Sequence, residues 1–159
     1  MRARTDDLPD SDKQLLDDVE QYGVHVVHVP AELGGGGFSF TVGLWHNFEQ
    51  PEVIVFGLPD EVAHDLLNAV ADEADEGRRF LADSRHEGLL ENYSVRFLAV
   101  PRSAYADHFG AASWAYEGEE FPAVQLVWPD KQGRWPWDAE AREAFRCGQP
   151  VLGTRESRA

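Results

Sequence analysis

The run Val53-Ile54-Val55-Phe56-Gly57-Leu58 carries an apolar side chain at every position but its glycine. Successive side chains on a strand point to opposite faces, so a strand built from these residues needs cover on both sides, as the centre of a sheet has. Two further stretches supply neighbours for it. Residues 38–45, Phe38-Ser39-Phe40-Thr41-Val42-Gly43-Leu44-Trp45, alternate with Phe38, Phe40, Val42 and Leu44 on one face, the pattern of a half-buried strand. Val24-His25-Val26-Val27-His28-Val29 is rich in β-branched residues and stops at Pro30. Gly34-Gly35-Gly36-Gly37 lies between those two, which predicts a hairpin with a flexible tip.

Later strands are predicted over residues 93–100, with Val95, Phe97 and Ala99 together before Pro101, and over residues 123–128, closed by the turn Pro129-Asp130-Lys131-Gln132-Gly133. Ser11 and Gln14 form a capping box ahead of Leu15, Leu16, Val19 and Tyr22, and Gly23 offers a left-handed stop, so residues 12–22 are predicted helical. Pro59-Asp60-Glu61 opens a second helix over residues 60–76, with Val62, Leu66 and Val70 along one stripe and its acids on or near the solvent side. A third, through Tyr105, Phe109, Ala112 and Tyr116, covers residues 102–116 with Gly110 counting against it. Residues 78–91 are mixed and polar, with a short strand near Phe80 the only suggestion of order. Runs of strands followed by helical crossovers give an α+β domain, its sheet mostly antiparallel or mixed, with about five strands and about three helices. Residues 1–10 are expected to be a flexible N-terminus, 11–150 the single domain and 151–159 a flexible tail.

A chain of 159 residues is one domain's worth, and five Trp, nine Phe and four Tyr require a core. The net charge of −15 repels phosphate backbones and anionic lipids, so neither nucleic acid nor membrane is an expected partner. Nearly half of the acids sit in two segments, seven in the first 20 residues and seven in residues 60–76. A lone Cys147 gains nothing from an oxidising compartment, the N-terminus leads into acids rather than an apolar run, and no stretch approaches the roughly 20 residues a bilayer requires; a cytoplasmic setting is expected.

Several stretches taken together resemble a bacterial family described as domain of unknown function 4262. They are Tyr22-Gly23-Val24-His25-Val26-Val27, residues 38–45, Pro51-Glu52-Val53-Ile54-Val55-Phe56-Gly57-Leu58-Pro59, and Gln125-Leu126-Val127-Trp128-Pro129-Asp130 with Gly133-Arg134-Trp135-Pro136-Trp137. The resemblance spans about residues 16–153. It implies an intracellular single-domain bacterial protein and carries no catalytic residue over.

The glycine run is not a phosphate loop, because it enters a strand rather than a helix and no Gly-Lys-Ser/Thr follows. Six histidines, His25, His28, His46, His64, His86 and His108, raise a metal question that their spacing does not support, since no pair has the His-x-x-x-His separation and His25 and His28 point to opposite faces of a strand. No metal and no cofactor is expected. Ser39 and Thr41 lack the surroundings of an activated nucleophile and are expected at the sheet surface. With Gly43 and Trp45 they form a polar, glycine-containing stripe, the expected pocket floor, with His25 beside it. Trp128, Trp135 and Trp137 among prolines form a second candidate surface, in which Arg134 either clasps Asp130 or Asp138 or holds an anion. The resulting expectation is a module binding a small molecule or a protein across these two surfaces, with a homodimer as a third use of the aromatic segment. The alternative is a small enzyme using His25 or His46 as general base, oriented by Glu52 or Asp130, acting on a small polar metabolite.

Overall fold

The computed structural model describes residues 1–31 and 37–153. Six strands form one mixed sheet in the order β1-β2-β3-β6-β5-β4, with β1 His25–Val29, β2 Phe38–Val42, β3 Glu52–Phe56, β4 Ser84–Leu90, β5 Tyr93–Ala99 and β6 Ala123–Val127. Only β3 and β6 pair in parallel, with Glu52 opposite Ala123; every other pairing is antiparallel. The doubly apolar run therefore lies inside the sheet, and all five residues of β3 are buried.

Six helices complete the fold: α1 Asp10–Tyr22, α2 Leu44–Phe48, α3 Asp60–Asp75, α4 Tyr105–His108, α5 Gly110–Tyr116 and α6 Glu143–Gly148. Val53 and Val55 of β3 pack with Val95, Phe97, Val124 and Leu126 beneath the Leu66, Leu67 and Val70 stripe of α3. On the other face Ile54 and Phe56 join Phe40 and Val42 under α1, α4 and α5, through Leu15, Leu16, Val19, Tyr105, Phe109 and Ala112. The α+β class with helices on both faces thus follows from the period-2 alternation along β2 and the unbroken apolar run of β3. Among the described residues no helix is long and apolar enough to cross a membrane.

Several expectations are corrected. The strand read over residues 38–45 ends at Val42: Gly43 takes φ 120° and the chain turns into α2, so Leu44 and Trp45 are helical. Alternation continued past the strand because Leu44 still faces the core, where it is fully buried. No capping box forms. The helix begins at Asp10 after Pro9, placing Ser11 inside it, and Gln14 donates to Asp18 Oδ1 instead. The polar stretch before residue 91 holds a seven-residue edge strand, β4, paired with β5 and without the alternation that marks a half-buried strand. Residues 102–116 are broken into a 3-10 turn, α4 and α5, with Phe109 at φ −113° between the two helices. In the N-terminal segment Arg2 is docked, its Nε donating to Trp114 O at 2.9 Å and its guanidinium lying 4.8 Å from that ring's centre. The predicted β1–β2 hairpin pairing is present, while most of its glycine tip lies outside the described residues.

Gly43 has no room for a side chain, since a Cβ would meet Gly23 O at 2.6 Å in addition to the left-handed strain at φ 120°. Gly43→Ala is expected to lower unfolding stability by about 2–3 kcal/mol, measured by chemical denaturation; a loss below about 0.5 kcal/mol would contradict the close packing of α1 on the β2–α2 corner.

Candidate functional site

Two polar constellations stand out. The first is a buried carboxylate. Glu52 opens β3 with no exposed surface. Its Oε1 accepts from Thr41 Oγ1 at 2.8 Å and from Leu44 N at 3.2 Å; its Oε2 accepts from Gly43 N at 3.1 Å, Trp45 N at 3.2 Å and the Tyr116 hydroxyl. The hydroxyls cannot turn away. Thr41 Oγ1 already accepts from Val53 N at 2.9 Å, and the Tyr116 oxygen from His46 N at 3.2 Å, so each has its hydrogen left for Glu52. All five partners donate. Burial pushes the Glu52 pKa above the ordinary carboxylate value, against the pull of these donors, and burial with the adjacent carboxylate pushes the Tyr116 phenol upward. This arrangement has no opening to a ligand, and it fastens the end of β2, the start of α2 and the end of α5 to β3.

The second constellation is open. A cavity of about 520 Å³ lies at the β1 edge between α1 and α3, lined by Asp18, Tyr22, His25, His64, Asn68 and Asp72 among others. His25 Nδ1 sits 2.8 Å from Asp18 Oδ2, a base and its orienting carboxylate brought together from β1 and α1. A second hollow of about 380 Å³, lined by His28, Asp60, Glu61, His64 and Asp65, adjoins the first at His64. Asp60, His64, Asn68 and Asp72 are four residues apart along α3 and so share one face of it, a line of roughly 18 Å. His28 Nδ1 is within 2.7 Å of Ser39 Oγ, and its ring centre is 5.9 Å from that of His64. Neither hollow is lined by a Lys or Arg. A larger hollow of about 680 Å³ follows residues Glu87 to Ser94, a single hairpin, and brings no groups together from separate elements.

The expected pocket floor does not exist as a stripe. Ser39 and Thr41 are buried rather than at the sheet surface, Gly43 is a turn, and Trp45 stands 39% exposed on α2. Nor do the two candidate surfaces meet. Since β3 and β6 run parallel from Glu52 and Ala123, Trp128 beyond the end of β6 lies at the opposite end of the sheet from Gly43 and Trp45. Trp128 donates from Nε1 to Phe56 O at 2.8 Å, while Trp135 and Trp137 stack with centres 5.5 Å apart beneath the Arg96 guanidinium. Arg134 is occupied: Nε reaches Asp130 Oδ2 at 2.9 Å, Nη1 Glu140 O and Nη2 Gln132 Oε1, which leaves no fork for an anion. Asp138 instead accepts from Trp135 N, and hydrogen bonds from Arg134 and Gln132 outweigh desolvation to hold Asp130 below its usual pKa.

Of the proposed bases, His25 lines the open cavity and His46 is exposed elsewhere, its backbone N–H spent on Tyr116. The carboxylates first assigned to orient them do not: Glu52 is enclosed, Asp130 is clasped by Arg134, and Asp18 takes that place at His25. Sequence reasoning passed over Asp18, His64, Asn68 and Asp72, although the four-residue spacing on α3 was there to find. Among the described residues no group of three or more His, Cys, Asp or Glu is arranged to hold a metal ion.

A family model described as Domain of unknown function (DUF4262) matches residues 18–142, a span containing both constellations. No curated protein and no solved structure matches the chain.

Glu52→Gln places an amide NH₂ against groups that only donate, and Tyr116→Phe removes one of those donors. The first is expected to cost about 3–5 kcal/mol and the second about 1–3 kcal/mol in urea unfolding. Equal stability of wild type and Glu52→Gln would overturn this account of the carboxylate.

Proposed function

Taking as premise that this chain belongs to the family of domain of unknown function 4262, we propose that it binds a small polar molecule bearing positive charge in the groove between β1 and α3. The cavity of about 520 Å³ at the His25–Asp18 pair carries the reading, because it draws polar groups from three separate elements into one concave place. Charge selects the ligand class: carboxylates line both hollows, no Lys or Arg opposes them, and the whole chain stands at −15. Tyr22, 66% exposed at the rim, offers an aromatic face to an ammonium group. In this reading the protein works in the bacterial cytoplasm, where the exposed Cys147 stays a thiol.

The His25–Asp18 pair favours a second reading, acid–base catalysis on the bound molecule, because an imidazole held by a carboxylate at one nitrogen presents the other as a base. Docking of a protein partner or a second copy on the Trp135–Trp137 surface draws less support, since those rings stack on each other under Arg96.

A thermal-shift comparison of 1,4-diaminobutane with succinate tests the binding. A ligand at about one hundred times its Kd adds about 2.7 kcal/mol, or roughly 5–10 °C for a domain of this size. The diamine is expected to raise Tm, succinate to leave it unchanged, and Asp72→Asn to remove half or more of the diamine shift. A larger shift with succinate, or an undiminished diamine shift in Asp72→Asn, would sink the reading.

A further inference from the structure

We infer that the groove catalyses a redox-neutral proton transfer on a small carbonyl compound bearing an ammonium group, with His25 as the base and His64 as the acid. The inference rests on the binding reading above and adds the reaction and the substrate class.

The two imidazoles line one cavity from different elements, His25 on β1 and His64 on α3, and differ in what stands behind them. His25 Nδ1 is held by Asp18 Oδ2 at 2.8 Å, which fixes the ring and stabilises it when it gains a proton; with Nδ1–H donating to the carboxylate, Nε2 carries the lone pair. Nε2 has no hydrogen-bond partner among the described residues. His64 makes no side-chain hydrogen bond among the described residues and touches only the His28 ring, itself committed to Ser39 and lying 3.7 Å from Asp60. An imidazolium at His64 therefore has no internal acceptor competing for its proton.

The walls narrow the chemistry further. No Ser, Thr or Cys lines either hollow, so a covalent route through those nucleophiles is not offered, whereas proton transfer needs only the two rings. Asp72, on the same face of α3 as His64, supplies an anchor for the ammonium group.

The step balances without a co-reactant. A hydrogen on the carbon beside the carbonyl passes as a proton to His25 Nε2, and its electron pair forms the carbon–carbon double bond as the carbonyl π pair moves to oxygen. The oxygen takes the proton of His64, giving an enol. Return of a proton to carbon from His25, and of the enol proton to His64, restores both rings and leaves either exchanged or isomerised substrate; nothing is oxidised or reduced.

The test uses the full chain with aminoacetone in D₂O, following loss of its carbon-bound protons by NMR. Wild type is expected to accelerate exchange by at least about one hundredfold over buffer, within the range a positioned acid and base contribute. His25→Gln is expected to abolish the acceleration, Asp18→Asn to cut it about tenfold or more, and His64→Gln to cut it similarly, while aminoacetone still raises the Tm of each. Exchange at the buffer rate by a protein whose Tm aminoacetone raises overturns the chemistry alone. Exchange that persists in His25→Gln overturns the assignment of the base. If aminoacetone and the diamine both leave Tm unmoved, the binding reading falls and this one with it.

Discussion

One carboxylate ties together pieces of chain that share no other bond. Glu52 begins β3, and to its two oxygens come the last turn of α5 through Tyr116, the side chain of Thr41 near the end of β2, and three consecutive backbone N–H groups at the start of α2. A charge taken so far from water is costly, and that cost is offset only when every lone pair finds a donor. Here the donors are set by relay: Val53 N–H orients the Thr41 hydroxyl and His46 N–H that of Tyr116. Moving any one of these elements would leave the charge short of a partner. The corner formed by β2, α2, β3 and α5 is consequently specified by electrostatics, where the rest of the domain relies on apolar packing.

That specification explains what could be read in advance. The apolar run of β3, the alternation of β2 and the Leu66-to-Val70 stripe of α3 are patterns that burial writes directly into residue order, and each became the expected element. Where local chemistry outweighs the pattern, the reading slipped. Gly43 ends β2 although Leu44 keeps the alternation going, because the backbone must turn to present its N–H groups to Glu52. The edge strand β4 follows a polar stretch whose order comes from pairing with β5, and edge position leaves little apolar trace. Ser39 and Thr41 looked like surface hydroxyls since nothing in the order of residues shows that His28 and Glu52 will receive them.

The candidate site was legible only in fragments. His25 was identified, but its partner Asp18 belongs to a helix whose acids read as a solvated face. The same holds for α3, where Asp60, His64 and Asp72 are solvent-side by helical period yet look across at β1. A polar helical face and a groove wall have the same sequence pattern; what separates them is the neighbour, and β1 becomes that neighbour only because it ends the sheet. The aromatic segment went the other way. Trp135, Trp137 and Arg134 carry the residue types of a binding platform, but their rings and guanidinium are consumed by one another, by Arg96 and by Asp130.

The position of β6 in the sheet has a bearing on how the chain comes to be folded as it is made. Strands β1, β2 and β3 form one ribbon and β4 with β5 another, and the two share no ladder except through β6, which is translated after both. Even then the seam is unfinished, for the Gln125 amide of β6 holds Pro150 O at 2.7 Å and Leu152 N at 2.9 Å. A ribosome-bound chain lacking those residues has two half-sheets with raw inner edges, β3 and β5, and a central glutamine without its partners. Closure of the domain is thus an event at the end of synthesis, and until it occurs the nascent ribbons depend on the acidic helices α1 and α3 to keep them apart from their copies on neighbouring ribosomes.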